Sequence, residues 1–145
     1  LVMGVLVPYD GSEQAKDALR FALRTHGDDE IAVLNVIDPV GKGGKKDTRA
    51  SWWSMWYEDM EKTAEERLEE AREIAEKEGQ NITTATRTGK PSKEIIEYAE
   101  KEDVDSIVMG RQGETGLSRV LLGSAADNVA RHSEIPVTLV GETDD

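Results

Sequence analysis

Three short stretches of this chain are aliphatic almost without a break: VMGVLVP at 2–8, IAVLNVI at 31–37 and the Ile107-Val108-Met109 triplet within 105–110. They are short for helices, and β-branched and aliphatic residues fill them. A strand with one wet face alternates apolar and polar residues. Strands lacking that alternation are covered on both faces, which is the habit of parallel sheets. Between them, apolar residues recur three and four positions apart. Ala15, Ala18, Leu19 and Ala22 follow a Ser12 cap, and Met60, Ala64, Leu68, Ala71 and Ala75 stripe residues 57–78. Gly27 and Gly79 stop these two helices. Ile95, Ile96 and Ala99 follow Gly89-Lys90-Pro91-Ser92, and Ala126, Val129 and Ala130 mark a last helix. Residues 81–88, NITTATRT, are polar and alternating, as on an edge strand. The apolar stretch Ile135 to Val140 closes the series. This alternation predicts one α/β domain over 1–145, with a five-stranded, mostly parallel sheet and helices on both faces.

The fourth strand empties into a loop punctuated by glycine. Gly110 is followed by two residues, then Gly113, then nine residues, then Gly123-Ser124, where a helical pattern begins. Glycines let backbone N–H groups approach a phosphate, and a helix start adds unpaired donors and a positive dipole end. Ser124 either caps that helix or turns its hydroxyl to a ligand. This is not a Walker loop, because no Gly-Lys-Ser/Thr follows the glycines, and not the dinucleotide fingerprint, whose glycines are closer together and follow the first strand.

Composition narrows the partners. With 18 Lys plus Arg against 30 Asp plus Glu, the net charge is −12. That field repels nucleic acid, so a phosphate ligand must be held locally by backbone donors, a few cations or a metal. No apolar run reaches the roughly 20 residues of a membrane span, and no signal peptide is visible, so the expected location is cytoplasmic. The absence of cysteine excludes disulfides, thiolate metal sites and a cysteine nucleophile. His26 and His132 are far apart and lie near helix C-termini, where they favour the dipole.

Residues 38–56 break the strand–helix rhythm and read as a mobile loop. DPVGKGGKKDTRA is glycine-rich and locally basic, and Trp52, Trp53 and Trp56 crowd the SWWSMWY segment behind it. Two readings stand: the aromatic segment starts the next helix, or it forms a flap beside a ligand with Lys42, Lys45 and Lys46 near phosphates. The glutamates of 57–78 have basic partners at short helical spacings and read as a solvated face.

Gly-x2-Gly-x9-Gly-Ser, within MGRQGETGLSRVLLGS, together with VLVPYDGS at the start and IPVTLV at the end, resembles the ATP-binding branch of the universal stress protein family. The resemblance spans nearly the whole chain. It implies the strand order 3-2-1-4-5, with the ligand outside the strand C-termini where the order reverses. It also implies ATP, with ADP or AMP as alternatives, and Mg²⁺ or Mn²⁺ carried by the phosphates. By position, Pro8, Tyr9 and Asp10 match the adenine–ribose wall, Val36 the backbone that meets adenine, and Met109 the residue ahead of the loop. Gly110, Gly113, Gly123 and Ser124 match the ribose–phosphate cradle, with Ala125 and Ala126 continuing its donor row. Outside this context Asp10 is equally a turn residue. Arg111 departs from the family's small polar residue: it reaches the phosphates, crowds the ribose or pairs with Glu114, and Arg119 has a similar choice. No general base or catalytic set is visible, so the resemblance points to a nucleotide-binding regulatory, stress-response protein. The alternatives are a slow metal-dependent ATPase or phosphotransferase, and a ligand-independent interaction module. Relatives commonly form homodimers through the last strand, here Ile135 to Val140.

Overall fold

The computed structural model describes residues 3–39, 50–112 and 122–141, and side chains over the same spans except 50–54. Five strands alternate with four helices: β1 Gly4–Pro8, α1 Glu13–Thr25, β2 Glu30–Ile37, α2 Ala50–Lys77, β3 Thr83–Thr88, α3 Pro91–Lys101, β4 Ser106–Gly110, α4 Ser124–His132 and β5 Val137–Val140. The sheet runs β3-β2-β1-β4-β5, and every neighbouring pair is parallel. This is the expected fold and the expected order.

The unbroken aliphatic strands divide their side chains between two cores. Val5, Val7, Ile31 and Val33 pack with Ala18, Leu19 and Ala22 of α1 and with Leu68, Ala71 and Ala75 of α2. Their neighbours Leu6, Leu34, Ile107 and Met109 pack on the other face with Ile95 and Ala99 of α3 and Ala126 and Val129 of α4. Residues two apart on a strand share a face, so both halves of each strand's period must be apolar. β3 has only one sheet neighbour, and its side chains are exposed or half-buried, as its polar alternation requires.

The helix ends obey their local chemistry. Ser12 Oγ accepts from Ala15 N at 3.1 Å and caps α1. Gly79 takes φ +70, and Gln80 N returns to Ala75 O to close α2. His26 caps α1 and pairs with Asp29 at 2.9 Å, while His132 Nδ1 lies 2.9 Å from Asn128 O in the last turn of α4. Both histidines are engaged in local contacts at helix ends.

One boundary needs correction. α2 begins at Ala50, so residues 50–56 are helical backbone and do not belong to a loop running from 38 to 56. Tryptophan and serine are indifferent helix formers, and the apolar stripe becomes legible only from Met60 onward. At about 1.5 Å per residue α2 is far longer than β2. Near its start, the Tyr57 hydroxyl lies 3.0 Å from Thr88 Oγ1 at the end of β3. Lys42, Lys45 and Lys46 lie outside the described residues.

Candidate functional site

A crevice opens where β1 and β4 part, and Pro8 is the reason. β1 keeps register with β2 over five pairs, through Pro8↔Leu34, but with β4 over only two, Val5↔Ser106 and Leu6↔Ile107. N–H groups of successive strand residues point to opposite neighbours. Tyr9 N donates to Leu34 O of β2 at 2.8 Å, so the missing N–H of Pro8 falls on the β4 side. The β1–β4 ladder cannot continue there.

The chain leaving β1 is tightly held. Asn35 Nδ2 donates to Tyr9 O at 2.7 Å, and Asp10 Oδ1 accepts from Ser12 N at 2.9 Å. Asp10 therefore makes the turn that leads into the α1 cap. Gly11 sits at φ +83 with Arg67 of α2 packed over it; a side chain there would be strained and would meet Arg67 Nε at 3.2 Å. Tyr9 is 2 % exposed and belongs to the α1/α2 core, where its hydroxyl donates to Glu70 of α2. Burial first, and then Glu70, push its phenol well above the ordinary tyrosine range. Tyr9 touches the crevice, but its phenol hydroxyl is committed to the opposite side of the sheet.

The facing wall is the start of the glycine loop and the start of α4. Arg111 N donates to Val140 O at 2.9 Å, Gly123 N to Arg111 O at 2.8 Å, and Gln112 N to Gln14 Oε1 at 2.9 Å. Gly110 has a packing reason for being glycine: a Cβ there would lie 3.0 Å from Gln14 Cβ and 3.1 Å from its backbone carbon. Gly123 is the N-cap of α4, with φ −64 and ψ 155 and no side-chain cap. Ser124 is thus the first helical residue and not the cap, which removes one of its two expected roles. Among the described residues, no side chain caps the N-terminal amides of α4. Arg111 also runs over the end of β5, with Cδ 3.1 Å from where a Cβ on Gly141 would stand.

These walls enclose a cavity of about 200 Å³. Pro8, Tyr9, Asp10, Val36, Met109, Gly110, Arg111, Gly123, Ser124, Ala125 and Ala126 all line it. Gly113, Glu114 and Arg119 lie outside the described residues. The lining also includes Leu34, Pro91, Ile95, Ser12, Ala15 and Gln112, which sequence reasoning did not single out. Leu34 could have been found from its phase with Val36 on β2, and Pro91 from its place at the start of a helix. Gln112 offered no signal beyond lying between two glycines. The cavity is chemically divided. On the β2–α3 side, Leu34, Val36, Pro91 and Ile95 make an apolar surface; on the β4 side stand the α4 start, Arg111 and Gln112. Asp10 is the one carboxylate on the described lining. Among the described residues no group of three or more His, Asp or Glu converges to cage a metal.

The profile of the universal stress protein family matches residues 3–141. The chain belongs to that family. The universal stress protein MJ0531 of Methanocaldococcus jannaschii is 34% identical over 138 residues, covering 94% of this chain and 80% of its own. The same organism's universal stress protein MJ0577 is 31% identical over 150 residues, covering 94% and 93%. The solved structure of MJ0577 superimposes with a TM-score of 0.85 over 99% of this chain and 98% of the other, at 29% identity. A universal stress protein solved in complex with cAMP is 25% identical, with a TM-score of 0.69 over 95% and 96% of the two chains. The fold is therefore shared across almost the full length of the two solved family members.

Proposed function

We propose that this chain is an adenine-nucleotide-binding regulatory protein of the stress-response type, with ATP as the ligand. The observation that carries the reading is the meeting, in one cavity, of residues from β1, β2, β4 and the α4 start, apolar at one end and rich in backbone donors at the other. A nucleotide has the same division. Its base suits Leu34, Val36, Pro91, Ile95 and Met109, its ribose the Pro8-Tyr9-Asp10 wall, and its phosphates the amides of Gly123 to Ala126 with Arg111 alongside. The universal stress protein in complex with cAMP supports an adenine nucleotide as the ligand class. The described lining carries a single carboxylate, Asp10, which supports a Mg²⁺ or Mn²⁺ that arrives with the phosphates and is held chiefly by them. On the described lining the two titratable side chains beside β1 are already engaged, Asp10 in its turn and Tyr9 with Glu70, which favours binding over hydrolysis.

Calorimetric titration with ATP, beside a one-day turnover assay in Mg²⁺ and in Mn²⁺, tests the proposal. The expected outcome is saturable binding without product. Steady release of phosphate would make the chain a slow ATPase, and no binding at millimolar ATP would make it a ligand-independent module. The final strand supports a homodimer as part of the same reading. β5 is a sheet edge, with Val137, Leu139 and Val140 only half-buried, and an apolar edge invites pairing with its own copy about a two-fold axis. Light scattering at micromolar concentration should give twice the chain mass in low and high salt, and a monomer in both would overturn the dimer.

A further inference from the structure

We propose that Asn35 is a positioning residue for the nucleotide cleft, acting through the Tyr9 carbonyl and never touching the ligand. The proposal rests on the nucleotide reading above. Asn35 stands in the middle of β2, 1 % exposed, among Ile31, Val33, Leu34 and Ile37. A carboxamide in such a strand is costly to bury unless it is hydrogen-bonded, and an aliphatic residue would fill the place at less cost. Its Nδ2 meets Tyr9 O at 2.7 Å.

The position of that acceptor is informative. Tyr9 N to Leu34 O is the last backbone rung between β1 and β2, and the next rung is made by the Asn35 side chain. The first bond holds the Pro8–Tyr9 peptide, and the second, from Asn35, holds the Tyr9–Asp10 peptide plane. From that plane Asp10 swings into its turn with Ser12 N, and Pro8, Tyr9, Asp10 and Ser12 become one wall of the cleft. Leu34 and Val36, on either side of Asn35, line the cleft themselves; Asn35 does not. In the phase of β2 it shares the face of Val33, on the α1/α2 side. It therefore supports the wall from behind.

The test uses Asn35→Leu and Asn35→Asp in the full chain. Each protein is melted without ligand, titrated with Mg-ATP, and followed by amide hydrogen exchange at Asp10, Gly11 and Ser12. Asn35→Leu should remain folded, bind ATP at least tenfold more weakly, and exchange these amides at least tenfold faster. Asn35→Asp adds a readout that simple packing would not move. Ionised, its carboxylate faces the Tyr9 carbonyl with no proton to donate; neutral, it regains a donor. Burial raises a carboxylic acid's pKa above its usual value of about 3.9. Its ATP affinity should therefore be poor at about pH 8 and recover towards wild type at about pH 5.5. The wild-type protein, measured at both pH values, removes the contribution of the nucleotide's own titration and of Asp10, Arg20 and Glu70 around Tyr9. Folded variants that bind within twofold of wild type at pH 8, or an Asn35→Asp profile parallel to wild type, would overturn the role. A wild-type chain that binds no nucleotide would end the nucleotide reading alone. Amide exchange would then decide Asn35: faster exchange at the turn supports the role, and unchanged exchange refutes it.

Discussion

Gly110 and Gly123 belong to one glycine pattern, yet they are glycine for different physical reasons. Gly110 is confined by its own protein, since Gln14 of α1 occupies the space a Cβ would need. Gly123 has φ −64 and ψ 155, a backbone any residue adopts, and it sits at the open N-cap of α4. The first glycine gives room to a helix packed against a strand end. The second has no conformational requirement, and under the proposed function its small size serves whatever approaches from the cleft. Under that proposal the pattern mixes residues that make the fold with residues that meet the ligand, and only packing and dihedral angles separate them.

Substitutions at the two ends should break or sharpen this contrast. The largest effect belongs to Gly110→Val. Overpacking against the backbone of α1 should cost about 3 kcal/mol of stability, which lowers the ligand-free melting temperature by about 10 °C. A melt within 2 °C of wild type would show that α1 yields easily and that Gly110 has no packing role. Next is Gly123→Val. With an extended cap backbone that accepts valine, the ligand-free stability should change by no more than about 1 kcal/mol. ATP binding should weaken about tenfold to a hundredfold, because each lost charge-assisted hydrogen bond is worth roughly 1.5–3 kcal/mol. Full ATP affinity in folded Gly123→Val would remove the α4 start from the phosphate site. A collapse of its melt would give both glycines the same structural reason. The smallest effect is expected from Ser124→Ala. Ser124 is exposed and is not the helix cap. Stability should stay within about 0.5 kcal/mol, while loss of one hydroxyl bond should weaken ATP roughly threefold to tenfold. Equal affinity would leave only backbone amides in the cradle.

The two walls of the crevice also differ in how legible they were. On the glycine-loop side, spacing and the helix start pointed to Gly110, Gly123 and Ser124, and the family resemblance added Ala125 and Ala126; all five line the cavity, while Gly113 lies outside the described residues. On the β1 side, PYDGS located the turn, and Pro8, Tyr9 and Asp10 all line the cavity. What the motif did not show is that Tyr9 also packs with α1 and α2 and sends its hydroxyl to Glu70, 61 residues away in sequence. Nothing local marks that partner. Asp10 does act as a turn residue through Ser12 N, and this role was legible because the bond spans only two residues.

Short-range pattern alone carried the strand–helix alternation, the parallel sheet covered on both faces, the polar edge at β3 and the helix start behind Gly123. Each of these is written in short-range periodicity: two for strands, about 3.6 for helices, glycine and proline at the breaks. Even the strand order 3-2-1-4-5 came from resemblance to relatives and not from the pattern. Tertiary packing set which β1 neighbour lacks the Pro8 donor, why a side chain at Gly110 would crowd Gln14, where α2 begins, and which group Asn35 meets in an aliphatic strand. These depend on partners far along the chain, such as Gln112 with Gln14 at 98 residues and Asn35 with Tyr9 at 26. Periodicity tells a residue which face it occupies. It carries no information about which distant backbone group will stand opposite, because that is fixed only when the strands find their register and the helices close over them.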